Sequence, residues 1–465
     1  MPRKYSARFE ASRHEGSASS EAHGIVACLW APMKVLLIAE SANPEWTSVP
    51  LIGWSLSTAL AKICDAHIVT QVRNRDAFVR AGQREGVDFT AIDTERLERP
   101  MWKLATVLRG GSGLGWTTQT ALSAISYPYF ERLVWQRFGP DIQARRYDVV
   151  HRITPLTPIA PSSLSPRCAK AGVPFVLGPL NGGVPWPKGF DAERRREREW
   201  LSYVRGAHRW LPGWRSTFTN ASAVLAGSRI TLNDLMTEPG SKYLYMPENG
   251  IDPSRFSKRA APYPGGLLKI CFVGRLVPCK GLDMLLEAAE EMLVSGAARL
   301  DVVGDGPLMP TIARRVQELG LGHAVTLHGW VAHDRVQDIL CESHLMALPS
   351  VREFGGGVVL EAMALGVVPL VVDYAGPGEL VDDSVGLKVP IGDRPSIIDA
   401  LRRTLAAVPL NPVSMGDRSR RAAERVRTEF TWQAKARRVL DVYRSVLAPG
   451  GSPIGTAAEC GQAPA

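Results

Sequence analysis

Short apolar runs alternate with amphipathic stretches of helix length along most of this chain. In the first half the runs are KVLLIA (34–39), AHIVTQV (66–72), DFTAID (88–93), YDVVHRI (147–153), PFVLGP (174–179) and AVLAGS (223–228). In the second they are KICFVG (269–274), RLDVVG (299–304), AVTLHG (324–329), LMALP (345–349) and VPLVVD (368–373). They are rich in β-branched residues and nearly continuously apolar, as strands buried on both faces of a parallel sheet are. Helical patterns such as GLDMLLEAAEEML (281–293) and PLMPTIARRVQEL (307–319) separate them. The alternation predicts right-handed βαβ units in open, doubly wound α/β sheets.

A chain of 465 residues is too long for one core, and this length predicts two or three domains. MPENGIDPSRF (246–256) and RAAPYPGG (259–266) concentrate Pro, Asn-Gly and Asp-Pro, so the boundary is expected near 250–266. The expected organisation is a first domain over 33–250, a second over 251–429 and a last helix over 430–448. Residues 1–32, polar and rich in Ser, Ala and Arg, read as a disordered leader, and the Gly/Pro/Ala-rich 449–465 as a disordered tail.

Composition narrows the class. Hydrophobic content of 45% with 22% charged residues is that of a soluble globular protein. The net charge of +9 points to an anionic partner or simply to a solvated basic surface. The seven cysteines are odd in number and form no CxxC pair, which argues against a disulfide framework or a zinc site and fits a reducing cytosol. No apolar run is long enough to span a membrane. The leader lacks the apolar core of a secretory signal.

The strongest chemical signal is EFGGGVVLEAMALG (353–366). Three glycines run into a helix start, whose free N–H groups and partial positive charge suit an anion. Glu353 precedes the glycines and Glu361 falls in the first turns of the helix. Glu361 fits either a helix-dipole role or a ribose diol; Glu353 fits sugar hydroxyls or a plain loop carboxylate. RLVPCKG (275–281) places Arg275 and Lys280 in a loop after a strand, where ligands of open α/β sheets sit. VVGDGPL (302–308) is a Gly-rich turn that would let a base or ribose lie close to the backbone.

Together FVGRLVPCKGLDMLLEA, LDVVGDGP, LHGWV, LPSVREFGGGVVLEAMALG and YAGPGELV, in this order, resemble the nucleotide-binding domain of retaining glycosyltransferases of family 4. ENGID (248–252) is similar to that family's inter-domain segment, and the likeness runs over 248–447. The resemblance implies the GT-B fold, two Rossmann-like domains facing across a cleft, with the last helix crossing back to the first domain. It implies a donor site of Gly274, Arg275, Lys280, Gly304, Glu353, Phe354, Gly355, Gly356, Gly357, Val358 and Glu361. Arg275 and Lys280 would bind the diphosphate, Glu361 the ribose and Glu353 the sugar, with backbone N–H groups of Phe354 and the glycines assisting. The expected catalytic set is Arg275, Lys280, Glu353 and His151. Cys279 departs from the acidic residue common before the lysine. No Asp-x-Asp motif is present, in keeping with a metal-independent family, and no cofactor is expected because the nucleotide-sugar is a co-substrate.

The first half is less explicit. By the same resemblance Gly53 is the glycine of a loop closing over the donor phosphates, and His151 reaches the donor sugar; a structural histidine is the competing reading. Asn181 and Gly182, in GPLNGGVPWPKGF (178–190), line the acceptor side or belong to a rigid connector. The stretches 130–147 and 193–216 mix Arg with Trp, Tyr and Phe, as a face for anionic lipid or a solvated helix packed by its aromatic edge would. GGSGLG (110–115) lacks dinucleotide spacing and reads as a flexible loop.

The expected partners are a nucleotide-sugar donor and a glycan or lipid-linked acceptor, at an anionic membrane surface on the cytoplasmic side, with no nucleic acid. A sugar-nucleotide 2-epimerase on the same fold and a non-catalytic basic binding protein are the alternatives.

Overall fold

The computed structural model describes residues 32–95, 116–196, 207–236 and 242–448. The expected leader, the tail beyond 448, the 110–115 loop and much of 193–216 lie outside them.

Two parallel sheets organise the chain. The first contains β1 (Lys34–Ala39), β2 (Asp65–Gln71), β3 (Phe89–Ile92), β4 (Val149–Thr154), β5 (Phe175–Leu180), β6 (Ala223–Ala226) and β7 (Tyr243–Tyr245). Their order is β3-β2-β1-β4-β5-β6-β7. The second contains β8 (Leu268–Val273), β9 (Ala298–Val303), β10 (Val325–Gly329), β11 (Leu345–Leu348), β12 (Val368–Asp373) and β13 (Leu387–Pro390), in the order β10-β9-β8-β11-β12-β13. These are two Rossmann-like sheets. Each reverses its winding next to its first strand, at β1/β4 and β8/β11, and there a doubly wound sheet opens a crevice at its carboxyl edge.

The central strands are buried because both faces are covered. After the exposed Lys34, β1 reads Val-Leu-Leu-Ile-Ala with each of these five residues at 0% exposure, since alternate side chains enter separate cores above and below the sheet. The two strands that the apolar pattern does not reveal, β7 and β13, are edges. Tyr-Leu-Tyr is only half-buried, and Leu-Lys-Val-Pro carries a charge and a proline, so neither forms a continuous apolar run.

Four helices position the site. α1 (Val49–Ala61) follows β1, and α2 (Trp116–Gln143) covers the other face of the first sheet. Phe130, Val134 and Phe138 of α2 are buried while Arg132 and Arg137 are exposed, so the 130–147 stretch packs by its aromatic edge and presents its arginines outward. α3 (Gly357–Leu365) follows β11, and its apolar residues bury on nearly all sides. α4 (Trp432–Leu447) is capped by the Thr431 hydroxyl, which accepts the Ala434 N–H at 3.1 Å. It lays Trp432, Ala436, Val439 and Tyr443 into the first domain's core beside α1. No helix among the described residues is long and apolar enough to cross a membrane.

Candidate functional site

The loops after β8 and β11 lie side by side. The Val351 N–H donates to Cys279 O at 2.9 Å, and the Ser350 hydroxyl to the same oxygen at 3.0 Å. This brings Lys280 to Glu353, and the two form an ion pair with about a fifth of each side chain exposed. The other carboxylate oxygen of Glu353 accepts the Gly356 N–H at 3.3 Å. Glu353 thus engages both the cation and a helix-mouth amide, the two features an incoming diphosphate would compete for. Arg275, exposed at the start of the first loop, adds a second positive charge.

Gly356 is the N-cap of α3, with φ 56°, a conformation costly for a residue with a Cβ. Gly355 has a different reason to be glycine. A Cβ there would stand 2.1 Å from Asn249 Nδ2 and 2.6 Å from Glu248 Oε1, so its smallness admits the inter-domain segment. A Cβ on Gly357 would meet nothing nearer than 3.5 Å. Val358 follows in the first turn, half-buried.

Glu361 projects from α3 with its Oε1 3.1 Å from His333 Nε2. That bond raises the histidine's pKa, against the opposing effect of burial. The Nδ1 of His333 lies 3.3 Å from an Arg255 nitrogen. Sequence reasoning misses His333; its only signal is its place just beyond LHGWV, beside Glu361.

The structure corrects several expectations. At Gly304, φ is 131° and a Cβ would fall 2.0 Å from the Gly274 carbonyl oxygen. Gly304 therefore lets β8 and β9 close together, with the Gly274 N–H bonded to Val303 O at 3.0 Å; its missing Cβ serves that contact, while the residue stays half-buried. Gly53 is not in a loop at all. It lies buried inside α1, where a Cβ would stand 2.2 Å from Ser41 O, so it serves close helix packing. His151 follows the competing, structural reading. It sits within β4, paired in register with Leu37 and Val176, at 0% exposure. Nδ1 lies 2.6 Å from the Tyr443 hydroxyl on α4, and Nε2 lies 2.7 Å from Gly178 O. Both ring nitrogens are used, none is left for a sugar, and burial lowers its pKa to about 4. His151 is a structural histidine tying the last helix to the first sheet.

The segment after β5 crosses between the domains. Asn181 Nδ2 donates to both Glu248 oxygens at 3.1 and 3.3 Å, and the Gly182 N–H donates to Thr231 Oγ1 at 3.0 Å. Further along, Arg352 Nε donates to Val184 O at 3.1 Å with its guanidinium over the Trp186 ring. The Tyr374 hydroxyl donates to Pro185 O at 2.9 Å, and Phe190 is buried in the second domain's core. Residues 181–190 form a strap from the first domain onto the second. Phe354 answers from the other side, its ring against Gly227 at the end of β6.

Three comparisons with known proteins bear on this geometry. Residues 268–407 match the family described as glycosyl transferases group 1. An α-D-kanosaminyltransferase of Streptomyces kanamyceticus is 27% identical over 38% of this chain and 45% of its own length. A putative colanic acid biosynthesis glycosyltransferase, WcaL of Salmonella typhimurium, is 25% identical over 61% of this chain and 74% of its own. The matches to the first curated relatives span about half the length of those proteins. Among solved structures, Anabaena Alr3699/HepE in complex with UDP is similar at TM-score 0.57 and 15% identity, covering 89% of this chain and all of that one. Sucrose-phosphate synthase from Thermosynechococcus elongatus gives TM-score 0.57 at 18% identity, covering 89% and 98%. These likenesses establish the two-domain GT-B architecture.

Proposed function

We propose that this chain is a group 1 glycosyltransferase that moves a sugar from a UDP- or GDP-sugar to an acceptor hydroxyl, with retention at the anomeric carbon and without a metal. The observation that carries the reading is the paired loops at the β8/β11 reversal. Arg275, Lys280 and Glu353 meet the mouth of α3 there, and Glu361 lies on the same helix. The family match over residues 268–407 contains all four of these groups.

In the transfer the diphosphate lies against Arg275, Lys280 and the helix mouth, displacing the Glu353 carboxylate. Freed, Glu353 accepts hydroxyls of the sugar, while Glu361 holds the ribose diol. The bond from the anomeric carbon to the phosphate oxygen breaks, and the acceptor oxygen bonds to that carbon from the same face. The acceptor's proton passes to the departing diphosphate, whose growing charge the two cations neutralise. His151 has no part in this. The acceptor is a cell-surface glycan or lipid-linked glycan, and the enzyme acts in the cytoplasm at the inner membrane face; the likeness to a putative colanic acid biosynthesis glycosyltransferase supports a polysaccharide acceptor. No observation favours a 2-epimerase or a non-catalytic basic protein.

The test is titration with UDP, GDP and ADP, with and without their sugars. One nucleoside diphosphate is expected to bind, and Glu361→Ala to weaken it tenfold or more, roughly the loss of hydrogen bonds to a charged group. Equal affinity in that variant would reject the ribose role, and binding of none would reject the reading.

A further inference from the structure

Glu361, the carboxylate that the transfer reading assigns to the ribose, does not stand alone on α3. His333 opens the helix His333–Cys341, just beyond β10, and its ring spans two groups of opposite charge. Nε2 lies 3.1 Å from Glu361 Oε1, and Nδ1 lies 3.3 Å from an Arg255 nitrogen. Phe256 meets the same ring edge-on, with centroids 5.8 Å apart and planes at 90°. Arg255 and Phe256 belong to the junction 246–256, so three separate stretches of chain converge on one imidazole.

The partners decide where the ring carries its hydrogen. A guanidinium only donates, so Nδ1 must accept from Arg255. A neutral imidazole with Nδ1 as acceptor holds its hydrogen on Nε2, and that N–H donates to the Glu361 carboxylate. Charged, the ring would keep this bond but turn a second donor on Arg255. The histidine takes one of about four lone-pair sites of the carboxylate, and enough remain for the two hydroxyls of a diol. The Glu361 side chain is 21% exposed and the His333 side chain 45%, so the pair is open to a ligand. A pair this exposed adds little to stability. What it can do is restrict a flexible glutamate to one direction, which lowers the ordering cost of binding.

We propose that His333 is a positioning residue for the donor: set in its Nε2–H form by Arg255, it aims Glu361 at the ribose diol and so makes the site favour ribonucleotides over 2′-deoxyribonucleotides. The inference rests on the reading of Glu361 as the ribose ligand and adds the groups that orient it.

Paired titrations of the full chain test it, UDP against 2′-deoxy-UDP and GDP against 2′-deoxy-GDP, at about pH 8, above the ordinary histidine pKa. The wild type should bind the ribonucleotide of one pair about tenfold more tightly than its deoxy counterpart, the loss of one hydrogen bond to a charged group. His333→Ala should cut that preference to about threefold or less. His333→Gln, whose amide N–H can donate to the same oxygen, should restore most of it. In a Glu361→Ala background, adding His333→Ala should change affinity by less than about twofold, because the histidine acts through the glutamate. Arg255→Ala leaves the histidine in place but frees its tautomer; it should lower the preference too, and it decides the matter if His333→Ala does not fold. An unchanged preference in the deciding variant overturns the proposal, and so does a His333→Ala loss that recurs in full on top of Glu361→Ala. Glu361→Ala keeps the two readings apart. A preference lost there but kept in His333→Ala ends this proposal alone; one kept in Glu361→Ala, or binding of no nucleotide, ends the ribose reading and this proposal with it.

Discussion

At the point where each sheet reverses its strand order, the two domains treat polar groups in opposite ways. Between β1 and β4 the polar groups are sealed. His151 is fully buried between Tyr443 and Gly178 O, Glu40 is 6% exposed and bound to Arg73, and Gly53 is pressed on the Ser41 carbonyl. Between β8 and β11 they stay within reach of solvent. Arg275 is exposed, and Lys280, Glu353 and Glu361 each keep about a fifth of their side chains open. One winding, used twice, thus yields a scaffold edge and a chemical edge. The difference lies in the segments beyond the first strand of each sheet. In the first domain a helix packed through a glycine closes the loop; in the second, two loops carry opposite charges to the mouth of a helix.

The largest effect should come from the chemical edge. Lys280→Ala is expected to lower turnover by about 10²–10³, or about 2.7–4 kcal/mol of barrier, if its contact strengthens as the diphosphate departs. Circular dichroism and thermal unfolding should show the fold intact, because the lysine is an edge group. Initial rates with the donor identified by titration provide the measurement. Near-wild-type turnover would make the second edge as inert as the first, and the contrast would collapse.

The scaffold edge should answer through stability. The His151 pKa is lowered to about 4 by burial, so the folded state prefers the neutral ring. Between that value and the ordinary 6.5 the unfolded chain binds more protons than the folded one. The stabilisation is fully present above pH 6.5 and is lost as pH falls toward 4, a loss of about 3 kcal/mol for a shift of this size. Urea unfolding of the wild type over this interval should show that extra loss, and His151→Gln should not. At pH well above 6.5 the variant's turnover per folded molecule should match the wild type's. A turnover collapse without a stability change would return His151 to the chemistry.

How much of this is legible in the residues obeys the same divide. The β8–β12 strands and the glycine-to-helix junction can be read because buried parallel strands leave continuous apolar runs and Glu353 to Glu361 is a local spacing. His151 misleads because a histidine in an apolar strand looks alike whether its partner is a sugar or Tyr443, and Tyr443 lies 292 positions away. Gly304 and Gly355 read from the sequence only as open backbone, and nothing local shows that their missing Cβ atoms make way for the Gly274 carbonyl and the Glu248–Asn249 pair. Glu248 itself reads only as part of a domain junction, because burial at a meeting of three segments has no sequence period.

The finest distinction is among the glycines, and it carries the smallest expected effects. Gly304→Ala must place a Cβ 2.0 Å from a backbone carbonyl oxygen at φ 131°, so it should destabilise the second domain by about 1–3 kcal/mol or more. Gly357→Ala meets nothing nearer than 3.5 Å and sits at the first helical residue of α3, where alanine is favoured over glycine by up to about 1 kcal/mol. Its stability should hold or rise slightly in thermal unfolding. Because the protein does not require that glycine, weaker nucleoside diphosphate binding in a stable Gly357→Ala would assign its missing Cβ to the ligand. Unchanged binding would mean that of the three glycines only Gly355 and Gly356 are needed, and for the protein's own contacts, so the helix mouth would offer the diphosphate its amides without demanding a bare backbone.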